Sequence, residues 1–212
     1  MWFSLEGSIG VGKTTFIDKV IRPWMPGVNV IPEPVEEWEK SGILQKSYVD
    51  PSYRFPAQCT FFTSRVRTFK RLYNPAVLNI SERSTFSDVF FWNIQEDVDP
   101  LLRKCYFDMW TEWQNLLPKR NPDLFIYLTT STDTCMNRIH ERNRSAESTI
   151  GKPYLRLLEE EHDVHLRNPL GVEMPDGTMV PCIVIDASLN YRDDLEVARL
   201  LAESLLMRKQ LF

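Results

Sequence analysis

The stretch GSIGVGKTT, residues 7–15, follows the apolar run MWFSL (1–5) and leads into the helical pattern TTFIDKVIRPW (14–24). Gly7-Ser8-Ile9-Gly10-Val11-Gly12-Lys13-Thr14 fits the pattern G-x-x-x-x-G-K-[ST], and the strand-before, helix-after context is the one in which that pattern carries a mechanism. Glycines let the backbone close around phosphate oxygens, and the helix N-terminus adds unpaired N–H groups and the positive end of its dipole. Gly7, Ser8, Gly10, Gly12, Thr14 and Thr15 are therefore expected to cradle a nucleoside triphosphate, with Lys13 on its terminal phosphates and Thr14 placed to ligate Mg²⁺. What receives the phosphate is not written in this loop.

Outward from the loop, apolar runs alternate with longer helical patterns. GVNVIPEP (27–34), AVLNI (76–80), DLFIYL (123–128) and CIVIDA (182–187) join MWFSL as strand candidates. Between them lie helical patterns at 51–74, 85–98, 100–117, 132–143, 152–166 and 193–209, with 35–49 helical in part. Thr132 or Asp133 is the expected cap of the helix at 132–143, and NPLGVEMPDGTMVP (168–181) is the one turn-rich loop. Strands alternating with helices predict an α/β fold with a parallel sheet covered on both faces. With no repeat or linker, the whole chain, 1–212, is expected to form one domain.

Composition narrows the function. The 212 residues carry a net charge of −4 and no long basic run, which argues against a nucleic-acid polymer as partner. No apolar run is long enough to cross a bilayer and no presequence is evident, so the expectation is a cytoplasmic protein without a membrane partner. Cys59, Cys105, Cys135 and Cys182 are scattered without metal-type spacing and are expected to be reduced. His162 and His165, in an acidic helical stretch, are expected to be surface or packing residues.

Three further clusters bear on the acceptor, and the first two fall where ligands bind in such sheets, beyond the carboxyl ends of the strands. Glu33 ends the second strand, Glu82 and Arg83 end the third, and Arg138, Arg142 and Arg144 lie at or beyond a helix end. A carboxylate there accepts a hydroxyl proton or holds a metal, and arginines neutralise charge on a moving phosphoryl group. Gln58, Phe61 and Arg65 share a helix face at i, i+3 and i+7, and Asp88 and Trp92 make a second face at i and i+4. A buried Arg65–Asp88 pair holding two helices together is compatible with both faces lining a pocket.

These motifs resemble the deoxyribonucleoside kinase family, including the cellular deoxycytidine and deoxyguanosine kinases and the insect multisubstrate enzyme. The resemblance runs from the glycine loop to KPYLRLLEEEHDVHL (152–166). It implies a P-loop kinase fold with a five-stranded parallel sheet flanked by helices and a short arginine-rich lid at about 142–150. It implies transfer of the γ-phosphoryl of ATP or another triphosphate to the 5′-hydroxyl of a deoxynucleoside, and a homodimer. By that resemblance Glu33 is the general base and Trp38 lines the nucleoside pocket. Glu82 and Arg83 serve the metal and the reacting 5′ end, so Mg²⁺ is expected on Thr14 and Glu82. Tyr48 and Glu147 hold the 3′-hydroxyl, Gln58 bonds the base, Trp92 stacks on it, and Arg138, Arg142 and Arg144 belong to the lid. Ala57, Val89, Trp92 and Ala146 depart from the residues usual in the family, which leaves the chemistry in place and moves the question to pocket shape.

An ionised Asp88 accepts hydrogen bonds only, so it favours a base edge with an exocyclic amine, and Arg65 can meet a guanine carbonyl. Deoxycytidine, deoxyadenosine or deoxyguanosine is therefore expected ahead of thymidine. The alternatives are a thymidine kinase, a nucleoside monophosphate kinase, whose second phosphate Glu33 would repel, a GTPase-type switch, which lacks its N-K-x-D motif here, and a non-catalytic nucleotide-binding regulator.

Overall fold

In a computed structural model, residues 1–96 and 98–209 are described. Five strands form one parallel sheet in the order β2-β3-β1-β4-β7. They are β1 (Trp2–Glu6), β2 (Asn29–Ile31), β3 (Asn79–Glu82), β4 (Leu124–Thr129) and β7 (Cys182–Asp186). β1 lies at the centre, paired with β3 on one side and β4 on the other. All five of its residues are buried, as a strand covered on both faces requires. Two of them, Ser4 and Glu6, are polar, and both are fully buried.

The helices pack around this sheet, each where the apolar pattern places it. The first continues from α1 (Lys13–Phe16) through a π turn (Ile17–Ile21) to α2 (Arg22–Trp24). The stretch 35–49 divides into α3 (Val35–Lys40) and α4 (Ile43–Val49), separated at Gly42, whose φ of 74° is a left-handed turn. α5 (Arg54–Leu72) is the long helix expected with Pro56 in its first turn, where a missing N–H costs nothing. α6 (Asp88–Asn93), α7 (Pro100–Gln114), α8 (Thr132–Arg142), α9 (Lys152–Leu166) and α10 (Leu195–Lys209) follow.

Four local expectations are corrected. β3 starts at Asn79 rather than Ala76, because the buried Asn79 side chain closes the preceding turn. Its Nδ2 donates to the carbonyls of Asn74 and Val77, and its Oδ1 accepts from the Asn74 N–H. The helix expected over 85–98 shrinks to Asp88–Asn93. Thr85 is tied to α7 instead: its carbonyl accepts from Trp110 Nε1 at 2.7 Å and its hydroxyl from Gln114. The cap of α8 is Ser131, whose Oγ accepts from the Thr134 N–H, whereas Thr132 bonds Glu159 on α9 and Asp133 pairs with Lys152. The turn-rich loop holds a small antiparallel hairpin, β5 (Val172–Glu173) with β6 (Met179–Val180).

Candidate active site

The glycine loop leaves β1 at the sheet centre and delivers Lys13 to the first turn of α1. At Gly7 a β-carbon would sit 2.5 Å from the Leu128 carbonyl, and at Gly10 2.5 Å from that of Cys135. The loop is thus pressed against β4 and α8 by close backbone approach that no side chain permits. Arg138 completes the clamp, donating from Nη1 to the Val11 carbonyl at 2.6 Å and from Nη2 to that of Ala187 at 3.0 Å. It binds the loop itself and does not line the cavity beside it.

Lys13 is folded onto its own loop, with Nζ donating to the carbonyls of Gly7 and Ser8 at 3.1 and 3.0 Å. Burial and the nearby Arg83 charge bring its pKa down to about 7, against the pull of Glu33, Glu82 and Glu6. Thr14 Oγ1 donates to Glu82 Oε1 at 2.9 Å, so the hydroxyl of α1 and the carboxylate at the end of β3 meet at the mouth of the loop. Burial and the Glu33 charge raise the Glu82 pKa.

A cavity of about 690 Å³ opens beyond the strand ends. Lys13, Thr14, Glu33, Glu82 and Arg83 line it, as do Trp38, Gln58, Phe61, Arg65 and Asp88. Glu33 joins the two sets. Its Oε1 pairs with Arg65 Nη2 at 2.5 Å and with Arg83 Nε at 3.2 Å. Burial would raise the Glu33 pKa, but the charges of Arg83, Arg65 and Lys13 outweigh it and bring the carboxyl below its usual value. Arg65 also pairs through Nη1 with Asp88 Oδ1. Burial raises the Asp88 pKa to about 6 despite that pairing, so the carboxylate is ionised at neutral pH. Arg83 lies over the Phe91 ring, 4.6 Å from its centroid, and faces His162 Nε2 at 3.5 Å. His162 is a packing residue, buried among Phe90, Phe91 and Tyr127. Burial and Arg83 lower its pKa well below 6.5, so the ring is neutral.

Tyr48 from α4 and Glu147 from the segment after α8 also line the cavity. Burial, with Tyr154 and Glu147 beside it, raises the Tyr48 pKa, so it stays a hydroxyl donor. Arg142 and Arg144, expected to face the transferring phosphate, both hold Glu147 in this structure. Arg142 donates from Nε at 2.9 Å and Arg144 from Nη1 at 3.0 Å, and Arg144 also pairs with Glu39 on α3.

Trp38 donates from Nε1 to Ser64 Oγ at 2.7 Å and packs on Phe61. Trp92 corrects the expectation of a stacking ring. It is fully buried against Phe55 and Tyr106 and does not line the cavity. α6 presents Phe91, three residues after Asp88, to the cavity and turns Trp92 toward the neighbouring core. Gln58 Oε1 and Asp88 Oδ2 are buried with no hydrogen-bond partner among the described residues.

A sequence profile described as deoxynucleoside kinase matches residues 3–206. The chain belongs to the deoxynucleoside kinase family. It is 32% identical over 196 residues to a probable deoxycytidine kinase of Fowlpox virus (strain NVSL), covering 90% of this chain and 80% of that one. It is equally identical, over 181 residues, to the thymidine kinase of Ictalurid herpesvirus 1 (strain Auburn), covering 83% and 78%. The deoxycytidine kinase of Rattus norvegicus is 29% identical over 227 residues, covering 91% and 86%. The kinase is thus a phosphotransferase with an alcohol acceptor, built on a P-loop kinase fold.

For this kinase, the Thr14 hydroxyl and Glu82 carboxylate fit the hard-oxygen donor set of Mg²⁺, which usually takes one or two protein oxygens beside phosphate and water. No larger cluster of metal-binding side chains exists among the described residues. Several lining residues escape a reading of the sequence, Tyr154 and Phe91 among them. Tyr154 looks like an ordinary aromatic in the first turn of α9, and Phe91 carries much the same helix-face signal as Trp92.

Proposed function

We propose that the kinase transfers the γ-phosphoryl of ATP or another nucleoside triphosphate to the 5′-hydroxyl of a deoxynucleoside. The observation that carries this reading is the placement of Glu33. An ionised carboxylate two residues beyond β2 shares one cavity with the phosphate-loop lysine and is flanked by two arginines. Glu33 takes the hydroxyl proton, and Arg83 stabilises charge developing on the phosphoryl group. The loop amides and Lys13 position the donor. Thr14 and Glu82 would hold Mg²⁺, which supplies neutralisation of the phosphate charge. Tyr48 and Glu147 bind the 3′-hydroxyl, and entry of substrate frees Arg142 and Arg144 to face the donor as the 142–150 lid closes and excludes water.

Deoxycytidine, deoxyadenosine or deoxyguanosine is preferred over thymidine. The support is Asp88 Oδ2, a buried acceptor with no partner among the described residues, which calls for a base edge that donates, beside Arg65 Nε, likewise unpartnered, which can meet a guanine carbonyl. The herpesviral relative named thymidine kinase favours a second reading, in which Arg65 and Asp88 serve only to hold α5 against α6. Turnover with all four deoxynucleosides in competition, with ATP as donor and product monophosphates quantified, separates the two. Thymidine as favourite substrate overturns the first.

The same reading includes one domain over 1–212 and a homodimer, checked by light scattering. It also includes a cytoplasmic location, in keeping with four free cysteines.

A further inference from the structure

We propose that Glu6, at the end of β1 and outside the cavity, is a positioning residue that holds Arg83 against Glu33. The proposal rests on the assignment of Arg83 and Glu33 to the reacting end of the site. Arg83 has a φ of 65°, a left-handed backbone that a residue with a long side chain adopts rarely. The conformation is imposed from both sides. Its own N–H donates to the Leu5 carbonyl at 2.9 Å, the last parallel rung between β3 and β1. There β3 leaves the sheet, and the next N–H, that of Ser84, donates instead to Glu6 Oε1 at 2.9 Å. The Ser84 hydroxyl adds a second bond to the same oxygen at 2.7 Å, and Ser4 Oγ a third at 2.6 Å.

Three donors converging on one oxygen suit a carboxylate, whose charge-assisted hydrogen bonds are the stronger kind. Glu6 is fully buried, and its Oε2 has no partner among the described residues. A buried charge of this sort is poor value for stability alone. Its effect here is geometric. Pinning Ser84 fixes the turn, and the turn aims the Arg83 guanidinium at Glu33 Oε1, 3.2 Å away, across the face of Phe91. Without the pin, Arg83 relaxes toward the ordinary right-handed or extended regions and its side chain leaves Glu33.

The test compares Glu6→Ala, Glu6→Gln and Ser84→Ala with wild type by kcat, KM for nucleoside and for ATP, nucleoside Kd and thermal midpoint. Glu6→Ala is expected to lower kcat about 100-fold, a loss of orientation rather than of binding, with nucleoside Kd changed by less than about 5-fold. Glu6→Gln keeps the accepting oxygen and is expected to recover most of that loss, and Ser84→Ala, which keeps the N–H bond, to lose less than Glu6→Ala. Leu205→Ala, a core truncation in α10 whose side chain does not line the cavity, controls for instability. It is expected to lower the midpoint and leave kcat unchanged. Wild-type kcat in Glu6→Ala, or a loss reproduced by Leu205→Ala at matched midpoint, overturns the proposal. If Glu6→Ala does not fold, Glu6→Gln and Ser84→Ala carry the test: kcat lowered several-fold in Ser84→Ala supports the proposal, and unchanged kcat in Ser84→Ala overturns it, as does a larger loss in Glu6→Gln than in Ser84→Ala. Inactivity of the wild type toward every deoxynucleoside strikes the functional assignment instead. The crystal structure of folded Glu6→Ala, in which the pin is gone, then decides this proposal: Arg83 still at positive φ beside Glu33 there refutes it.

Discussion

Donor binding should draw a proton into the protein. Free Lys13 has a pKa of about 7, because burial and the Arg83 charge outweigh three carboxylates, and its hydrogen bonds among the described residues are to the Gly7 and Ser8 carbonyls. A triphosphate adds several negative charges at Nζ and restores the ammonium form. With the pKa at about 7, Lys13 is about one-tenth charged at pH 8 and about nine-tenths charged at pH 6. Binding of a non-hydrolysable ATP analogue with Mg²⁺ should therefore take up about 0.9 proton at pH 8 and about 0.1 at pH 6. Isothermal titration calorimetry in phosphate and in Tris, buffers of low and high ionisation enthalpy, reads the uptake directly. Lys13→Met should abolish it along with most of the affinity. Binding heats at pH 8 that are the same in both buffers would refute the account of a neutral, folded-back lysine.

Other outcomes follow from the same geometry. A dideoxynucleoside leaves Tyr48 and Glu147 unpaired in a closed site, so its kcat/KM should fall by about 1–3 kcal/mol relative to the deoxy form, measured with one base. Equal efficiency would mean these two residues do not bind the 3′-hydroxyl. Asp88→Ala with Arg65→Met should raise thymidine use relative to deoxycytidine in a competition assay. The single change Asp88→Ala should do worse, since it strands a buried guanidinium that Glu33 alone must balance. His162 is neutral in the fold and takes a proton below about pH 6.5 when unfolded, so it costs stability as the pH falls below that value. Stability of wild type minus His162→Gln, from denaturant titrations, should decline toward acid with a limiting slope of about 1.4 kcal/mol per pH unit. A flat difference would show a charged or solvent-reached imidazole.

The glycine loop was readable because close backbone approach and phosphate chemistry leave few residue choices, and β1 and β4 because burial on both faces writes largely apolar runs. Strand and helix ends were less legible. Nothing local in AVLNI marks Asn79 as the residue that closes the preceding turn, since its partners are carbonyls of the turn itself. Helix-face spacing placed Gln58, Phe61 and Arg65 together on α5, a long helix whose face is well defined. The same spacing failed for Trp92, because Phe91 takes the cavity side of α6 and Trp92 packs on Phe55 and Tyr106 instead. Glu6 sits in plain view beside the loop, but its partner Ser84 is 78 residues away, and only the sheet order brings them together. Arg138 was expected among the lid arginines, and its bonds to the Val11 and Ala187 carbonyls, which tie it to the phosphate loop, depend on tertiary packing.

The central claim is that an ionised Glu33 takes the proton of the acceptor hydroxyl. Single-turnover phosphorylation of deoxycytidine by wild type and Glu33→Gln, with Mg²⁺ and ATP saturating and nucleoside Kd measured in parallel, tests it most directly. The account predicts a rate lower by about 10²–10⁴-fold with nucleoside affinity largely kept, whereas a Glu33→Gln enzyme that turns over at close to the wild-type rate would contradict it.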